Sequence, residues 1–127
     1  MEMNILILDK DKDYASFLKG LAIEWKHRAK TVYSGDDAIS ALLEEKYDLL
    51  LLDVNLPDGG GGDIISKIKT LSPNTGIITM TNANSRNLEY KIRQLGIIYY
   101  MIKPFDPTAL KTIIDHMALR KRNQASE

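Results

Sequence analysis

Cysteine is absent from the 127 residues. That excludes disulfides, thiol nucleophiles and cysteine-type zinc sites. An excess of either charge is absent too, since 17 Lys and Arg balance 17 Asp and Glu to a formal net charge of zero. Domains that grip nucleic acid alone are usually strongly basic, so direct nucleic-acid binding is not expected. Nor is any general pull towards an anionic membrane. No apolar run approaches the roughly 18 residues of a membrane span. The opening MEMNILILDK lacks the basic region and long apolar stretch of a signal peptide. These absences point to a cytoplasmic protein. There is no internal repeat, low-complexity tract or interdomain linker. A single domain is expected, long enough to bury one core unaided.

What is present is an alternation. Asn4 to Leu8 is a short apolar run ending at Asp9, and it reads as a buried strand. From Asp13 to His27, apolar residues at Tyr14, Phe17, Leu18, Leu21, Ala22 and Trp25 step by three and four, which makes an amphipathic helix. Lys30 to Tyr33 is a weaker, more exposed strand. Ser34 with Asp37 resembles a capping box opening a helix to about Lys46. Tyr47 to Leu52 is the most apolar stretch and ends at Asp53, as a central strand would. Asn55-Leu56-Pro57-Asp58 and the glycines Gly59 to Gly62 form a loop by turn chemistry. Asp63 to Leu71 is a short helix with Ile64, Ile65 and Ile68 inward. Ile77 to Met80 is a buried strand ending at Thr81. Asn84 or Ser85 caps a helix to about Leu95, and Gly96 sits where a left-handed residue belongs. Ile97 to Ile102 is a fifth strand, ending at Lys103-Pro104. Asp106-Pro107 opens a last helix to about Arg120. Residues 1–120 therefore read as the domain, and 121–127 as a frayed basic-polar tail or the start of a linker.

Five strand–helix units with short connections imply a parallel sheet covered by helices on both faces. In such open sheets ligands bind outside the carboxyl ends of the strands. The residues there are Asp9, Lys10 and Asp11, then Asp53, Thr81 and Lys103. Any one of them is an ordinary polar residue where a strand meets water. All of them directly following apolar runs is a pattern that points to a site.

The sequence resembles the receiver domain of two-component response regulators over essentially its whole length. The resemblance is carried by ILILD (Ile5 to Asp9), YDLLLLDVNLPDGGG (Tyr47 to Gly61), GIITMT (Gly76 to Thr81) and YYMIKPF (Tyr99 to Phe105). It implies an α/β, flavodoxin-like (CheY-like), doubly wound five-stranded parallel sheet of order 2-1-3-4-5. It also implies that Asp53 is a phosphoacceptor, a carboxylate nucleophile taking a phosphoryl group from a histidine kinase or phosphotransfer protein. Asn55 matches the position whose backbone carbonyl ligates magnesium, beside Asp9 and Asp53. Pro57 and Gly61 match the loop that shapes that site. Thr81 matches the hydroxyl that binds the phosphoryl group, and Lys103 the lysine that pairs with a phosphoryl oxygen. Tyr100 matches the aromatic that moves inward with the threonine. Three phosphoryl oxygens need cations and donors, and these residues supply them.

Two positions depart from the family pattern. Lys10 stands where a second acid is usual, and that acid most directly binds Mg2+. An ammonium cannot ligate Mg2+ and would repel it from the pocket. Three outcomes are open. Metal binding and phosphorylation are weakened; or Lys10 replaces part of the metal's charge, pairing with Asp53; or Lys10 turns to solvent and Asp9 or Asp11 completes a distorted site. Counting Asp9, Asp53, Lys10 and Lys103, the pocket holds two acids against two lysines. The second departure is Asn82, where a small residue is usual after the threonine. It narrows access to Asp53, adds a hydrogen bond to the phosphoryl group, or merely caps the next helix.

The glycine run is not followed by Gly-Lys-Ser/Thr, so it reads as a turn and not as a phosphate loop. His27 and His116 have no partner at ligand spacing, and each reads as a surface or partly packed residue. Ile97, Ile98 and Tyr99 exceed core needs on one face of their strand. Together with the fourth and fifth helices they are a candidate surface for an effector domain, a protein partner or a homodimer. Two readings of the function stand. One is a phosphorylation-switched signalling module. The other is a binding module that kept the fold and lost magnesium-dependent switching. An enzyme is not expected. Asp9-Lys10-Asp11 resembles the opening of haloacid-dehalogenase-type phosphatases, but Asp13 stands where that family has Thr or Val, and the chain is short for that fold.

Overall fold

Short apolar runs alternating with amphipathic stretches fold as ten main elements in this computed structural model, which describes residues 2–56 and 59–125. In chain order they are β1 (Asn4–Leu8), α1 (Lys12–Glu24), β2 (Arg28–Val32), α2 (Gly35–Glu44), β3 (Leu49–Asp53), α3 (Gly61–Leu71), β4 (Gly76–Thr81), α4 (Arg86–Arg93), β5 (Tyr99–Ile102) and α5 (Pro107–Ala125). The five strands form one parallel sheet of order β2-β1-β3-β4-β5, the flavodoxin-like order expected. β1 pairs with β2 on one side and β3 on the other. The chain thus reverses its direction of travel across the sheet at the β1–β3 boundary, which opens a crevice at their carboxyl ends.

Side chains alternate between the two faces of a strand, so one sheet supplies two cores. Leu6, Leu8, Leu50, Leu52 and Ile77 pack with Ala38, Ala41, Ile65, Ile68 and Ile92, from α2, α3 and α4. Ile5, Ile7, Leu49, Leu51, Ile78 and Met80 pack with Ala15, Leu18, Leu110 and Ile114, from α1 and α5. Each fully buried Leu or Ile contributes about 1.5–3 kcal/mol of transfer free energy. Both faces of β3 are covered, which is why its sequence is a continuous run of leucines and not an alternation.

Caps set the helix starts. Asp11 Oδ1 accepts the backbone N–H groups of Asp13 and Tyr14 at 3.0 and 3.1 Å, and Ser34 Oγ accepts that of Asp37 at 3.2 Å. Ser85, not Asn84, caps α4 by accepting Leu88 N–H at 3.1 Å. Asp106 Oδ1 accepts Thr108 N–H at 2.9 Å, just after Pro107 opens α5.

Several boundaries differ from expectation. α1 stops at Glu24, three residues before His27, because Lys26 turns to a left-handed φ of 70°. Tyr47 and Asp48 precede β3, where Asp48 accepts Asn4 N–H at 2.7 Å and pairs with Lys121 at 2.9 Å. That ion pair lies on the part of α5 expected to fray, and the helix continues to Ala125. Instead of a plain glycine loop, Asn55–Leu56 and Gly59–Gly60 form a short antiparallel pair. Gly61 follows at the start of α3, where any Cβ would come within 2.7 Å of the Val54 backbone. Gly96 adopts φ 77°, as its place after α4 suggested. Among the described residues, no helix is long and apolar enough to cross a membrane.

His27 is buried, not a surface residue, and its Nδ1 accepts Met3 N–H at 2.9 Å. Burial holds its pKa below the usual imidazole value. A base with a depressed folded pKa stabilises the fold above its unfolded pKa, near 6.5, and loses that contribution as pH falls below it. Urea unfolding at stepped pH should show stability dropping as pH falls from about 6.5. His27→Asn keeps an acceptor for Met3 but cannot titrate, so the drop should be shallower in that variant.

Candidate functional site

Four of the five strands of the central sheet deliver a polar residue to the crevice; β2, at the edge, delivers none of them. Asp9 directly follows β1, Asp53 ends β3, Thr81 ends β4 and Lys103 directly follows β5. The first three are almost completely buried, with relative exposures of 0, 2 and 0%. Lys103 crosses to the acids and donates from Nζ to Asp9 Oδ2 at 2.6 Å and to Asp53 Oδ2 at 3.1 Å. Its ammonium also lies 4.2 Å from the centroid of the Tyr14 ring.

The remaining carboxylate oxygens are held by backbone. Asp9 Oδ1 accepts Asp11 N–H at 2.9 Å, and Asp53 Oδ1 accepts Asn55 N–H at 2.8 Å. Burial raises the Asp9 pKa above the ordinary carboxylate value, and the hydrogen bonds from Lys103 and Asp11 offset this only in part. For Lys103, burial works to lower the pKa, but its bonds to Asp9 and Asp53 outweigh that and hold it above the ordinary value.

Two further groups of hydrogen bonds meet in the loop after β4, one from Asn55 beyond β3 and one from Tyr100 of β5. Asn55 Nδ2 donates to Thr81 Oγ1 at 2.9 Å and to Asn82 Oδ1 at 3.3 Å. Thr81 Oγ1 also accepts Ala83 N–H at 3.0 Å. Tyr100 is buried, and its hydroxyl donates to Asn84 Oδ1 at 2.7 Å. Among the described residues, every buried side-chain nitrogen and oxygen has a partner.

Asp9, Asp53, Asn55, Thr81 and Lys103 are thus brought together, with Tyr100 linked at the edge. Pro57 lies outside the described residues. Lys10 is exposed and forms no ion pair with Asp53. Of the three outcomes the sequence left open, the structure has Lys10 in solvent, and Lys103 is the cation between the acids. The pocket therefore holds two acids against one lysine. Asn82 does not cap the next helix, since Ser85 does; it bonds to Asn55 instead. Tyr14 and Asn84 were missed. In the sequence Tyr14 was one apolar position of a helix stripe and Asn84 a possible cap. The Asn55 side chain was missed as well, because only its carbonyl was assigned a role.

Among the described residues, no three His, Asp or Glu side chains converge as a metal site. Asp9 and Asp53 are oxygen donors of the kind a hard divalent cation takes, fewer than three carboxylates would offer, and Lys103 is bonded to both. β5 adds a different surface. Tyr100 and Met101 are buried in opposite cores, whereas Tyr99 and Ile102 are half exposed, as is Ile98 just before the strand.

A parallel sheet of this order, with an acid–lysine cluster at its switch point, defines a flavodoxin-like domain of the CheY type. The family model described as response regulator receiver domain matches residues 5–115, and the chain belongs to that family. It is 29% identical over 126 residues to the transcriptional regulatory protein ZraR of Salmonella typhimurium, covering 99% of this chain and 29% of that protein. It is 30% identical over 122 residues to the transcriptional regulatory protein PcoR of Escherichia coli, covering 96% of this chain and 54% of that one. The chain therefore spans only about a third to a half of these relatives. A two-component response regulator from Clostridium difficile superposes with a TM-score of 0.89 at 30% identity, covering 94% of this chain and 98% of that one.

Removing the shared cation tests the cluster. Lys103→Ala leaves Asp9 and Asp53 buried without a counter-ion, at a cost on the order of 3 kcal/mol at neutral pH. A carboxyl with a raised folded pKa stabilises the fold fully below its unfolded pKa and loses that as pH rises. Denaturation midpoints should therefore show the gap between variant and wild type narrowing as pH is lowered from 7 towards 5.

Proposed function

We propose that this receiver domain is switched by phosphorylation of Asp53. A carboxylate oxygen of Asp53 attacks the phosphorus of a phosphohistidine on a kinase or phosphotransfer protein. The new O–P bond replaces the P–N bond, whose electron pair stays on the imidazole. The observation that carries this reading is the position of Lys103, already bonded to Asp53 and positively charged over the working pH range. Preorganised charge of this kind favours the transition state, in which negative charge builds on the phosphoryl oxygens.

Thr81 is the second donor. Its hydroxyl now accepts from Asn55 and Ala83, and its own proton is available for a phosphoryl oxygen. Asn55 links Asp53 to Thr81, so a change at Asp53 reaches β4 through one residue. From there Asn84 and Tyr100 lead to the half-exposed face of β5. That face suits an effector domain, a protein partner or a second copy of the chain. That ZraR and PcoR are named as transcriptional regulatory proteins and extend well beyond the matched region supports the first of these. The setting that goes with a kinase partner is the cytoplasm, and direct nucleic-acid or membrane contact is not part of the reading.

Mg2+ would be held by the carboxylates of Asp9 and Asp53 with the backbone carbonyl of Asn55. Bound there, it would supply charge neutralisation for the incoming phosphoryl group. The missing acid at position 10 makes that site weaker than three carboxylates would. The second reading, a binding module without magnesium-dependent switching, is favoured by this same substitution.

Incubation with acetyl phosphate and Mg2+ should add one phosphoryl mass to the intact protein, and Asp53→Ala should abolish the gain. No gain with any phosphodonor would sink the proposal. A Mg2+ titration followed by NMR should shift Asp9 and Asp53, with Lys10→Asp tightening the response several-fold. An unmoved spectrum in the wild type, rescued by Lys10→Asp, would establish the second reading instead.

A further inference from the structure

Tyr14 has no part in the reading above, and the helical stripe of α1 accounts for it only as packing. Its neighbours are more specific than that. The ring centroid lies 4.2 Å from Lys103 Nζ, well inside the range of a cation–π contact. Phe105 meets the same ring edge-on, with centroids 6.2 Å apart and planes at 88°. Phe17 lies against it at 5.9 Å. Lys103 and Phe105 flank Pro104, so two residues of one loop grip one ring.

The other end of Tyr14 is tied to the pocket as well. Its backbone N–H donates to Asp11 Oδ1 at 3.1 Å, and Asp11 N–H donates to Asp9 Oδ1 at 2.9 Å. The carboxylate that receives Lys103 and the ring beside Lys103 are therefore positioned by the same turn. Burial raises the Tyr14 hydroxyl pKa, consistent with a ring set into the wall of the crevice.

We infer that Tyr14 is a positioning residue of this pocket, its ring giving the Lys103 ammonium a third contact beside Asp9 and Asp53. For its functional consequence the inference rests on Asp53 being the phosphoacceptor; the contact itself does not depend on that. An ammonium has three donors, and the two carboxylates use two of them. When Asp53 becomes an acyl phosphate, its carboxylate charge disappears from that carbon and reappears on the phosphoryl oxygens. The ring quadrupole does not change in that step. It therefore holds Lys103 near the acceptor while one of its two anionic partners is being replaced. An aliphatic side chain at position 14 would bury the ammonium equally but offer no attraction, so burial would then act only against the charge.

The test has two arms. By NMR, the wild-type Lys103 methylene protons beside Nζ should show an upfield ring-current shift that persists in Tyr14→Phe and is lost in Tyr14→Leu. With acetyl phosphate, phosphoryl accumulation on Asp53 should slow about 2- to 30-fold in Tyr14→Leu. Tyr14→Phe should restore the wild-type rate. Unshifted Lys103 methylenes in the wild type would overturn the inference, and that measurement needs no variant to fold. So would a Tyr14→Leu protein that is phosphorylated at the wild-type rate. Equal slowing in Leu and Phe variants would place the effect in the hydroxyl and also overturn it. If the wild type accepts no phosphoryl group, the phosphoacceptor reading fails, and the ring-current shift alone then decides whether Tyr14 holds Lys103.

Discussion

One ammonium group holds the carboxyl ends of this sheet together. β1 and β3 are neighbours, and each ends in a buried acid. Two carboxylates side by side in a largely apolar sheet repel one another and lose their hydration. Lys103 answers both at once, reaching across from β5 while β4 lies between. Phe105, two residues further along the same loop, meets edge-on the Tyr14 ring of α1. The geometry of the pocket depends on this ion cluster more than on any single hydrogen bond.

Around the cluster the polar groups divide into two sets. One set faces the acids and comprises Lys103, two backbone N–H groups and the Tyr14 ring. The other leads away from them through Asn55, Thr81, Asn82, Asn84 and Tyr100. Asn55 belongs to both, because its backbone holds Asp53 and its side chain holds Thr81. Three asparagine side chains take part, Asn55 bonding to Thr81 and Asn82, and Asn84 to Tyr100. The surface of β5, with Tyr99 and Ile102 half exposed, remains apolar where a solvated edge strand would ordinarily carry charge.

The fold was legible because its signals are local. Runs such as NILIL and GIITMT are too short for helices and too apolar for loops, and the stripe from Tyr14 to Trp25 has only one periodicity. Boundaries were less legible, since α1 ends where Lys26 turns left-handed, and no residue type announces that. The end of α5 was misjudged for a similar reason. Lys121 looks like tail composition until Asp48, 73 positions earlier in the chain, is placed beside it. The acids, the threonine and the lysine of the site were legible from their places after apolar strands. Tyr14 and Asn84 were not, because each has an adequate local explanation that conceals a long-range partner.

Residue order alone determined the parallel α/β architecture, the strand order through family resemblance, and the four side chains at the strand ends. These follow from periodicity and from which residues interrupt it. Only the tertiary structure decided where the lysines go. Lys10 adjoins an acid in sequence yet faces solvent, while Lys103, 94 positions from Asp9, is bonded to it. The balance of charge in the pocket is therefore two acids to one lysine, where adjacency in the chain suggested two to two. The reason is geometric: successive residues leaving a strand point in different directions, whereas parallel strands bring distant ends to one edge.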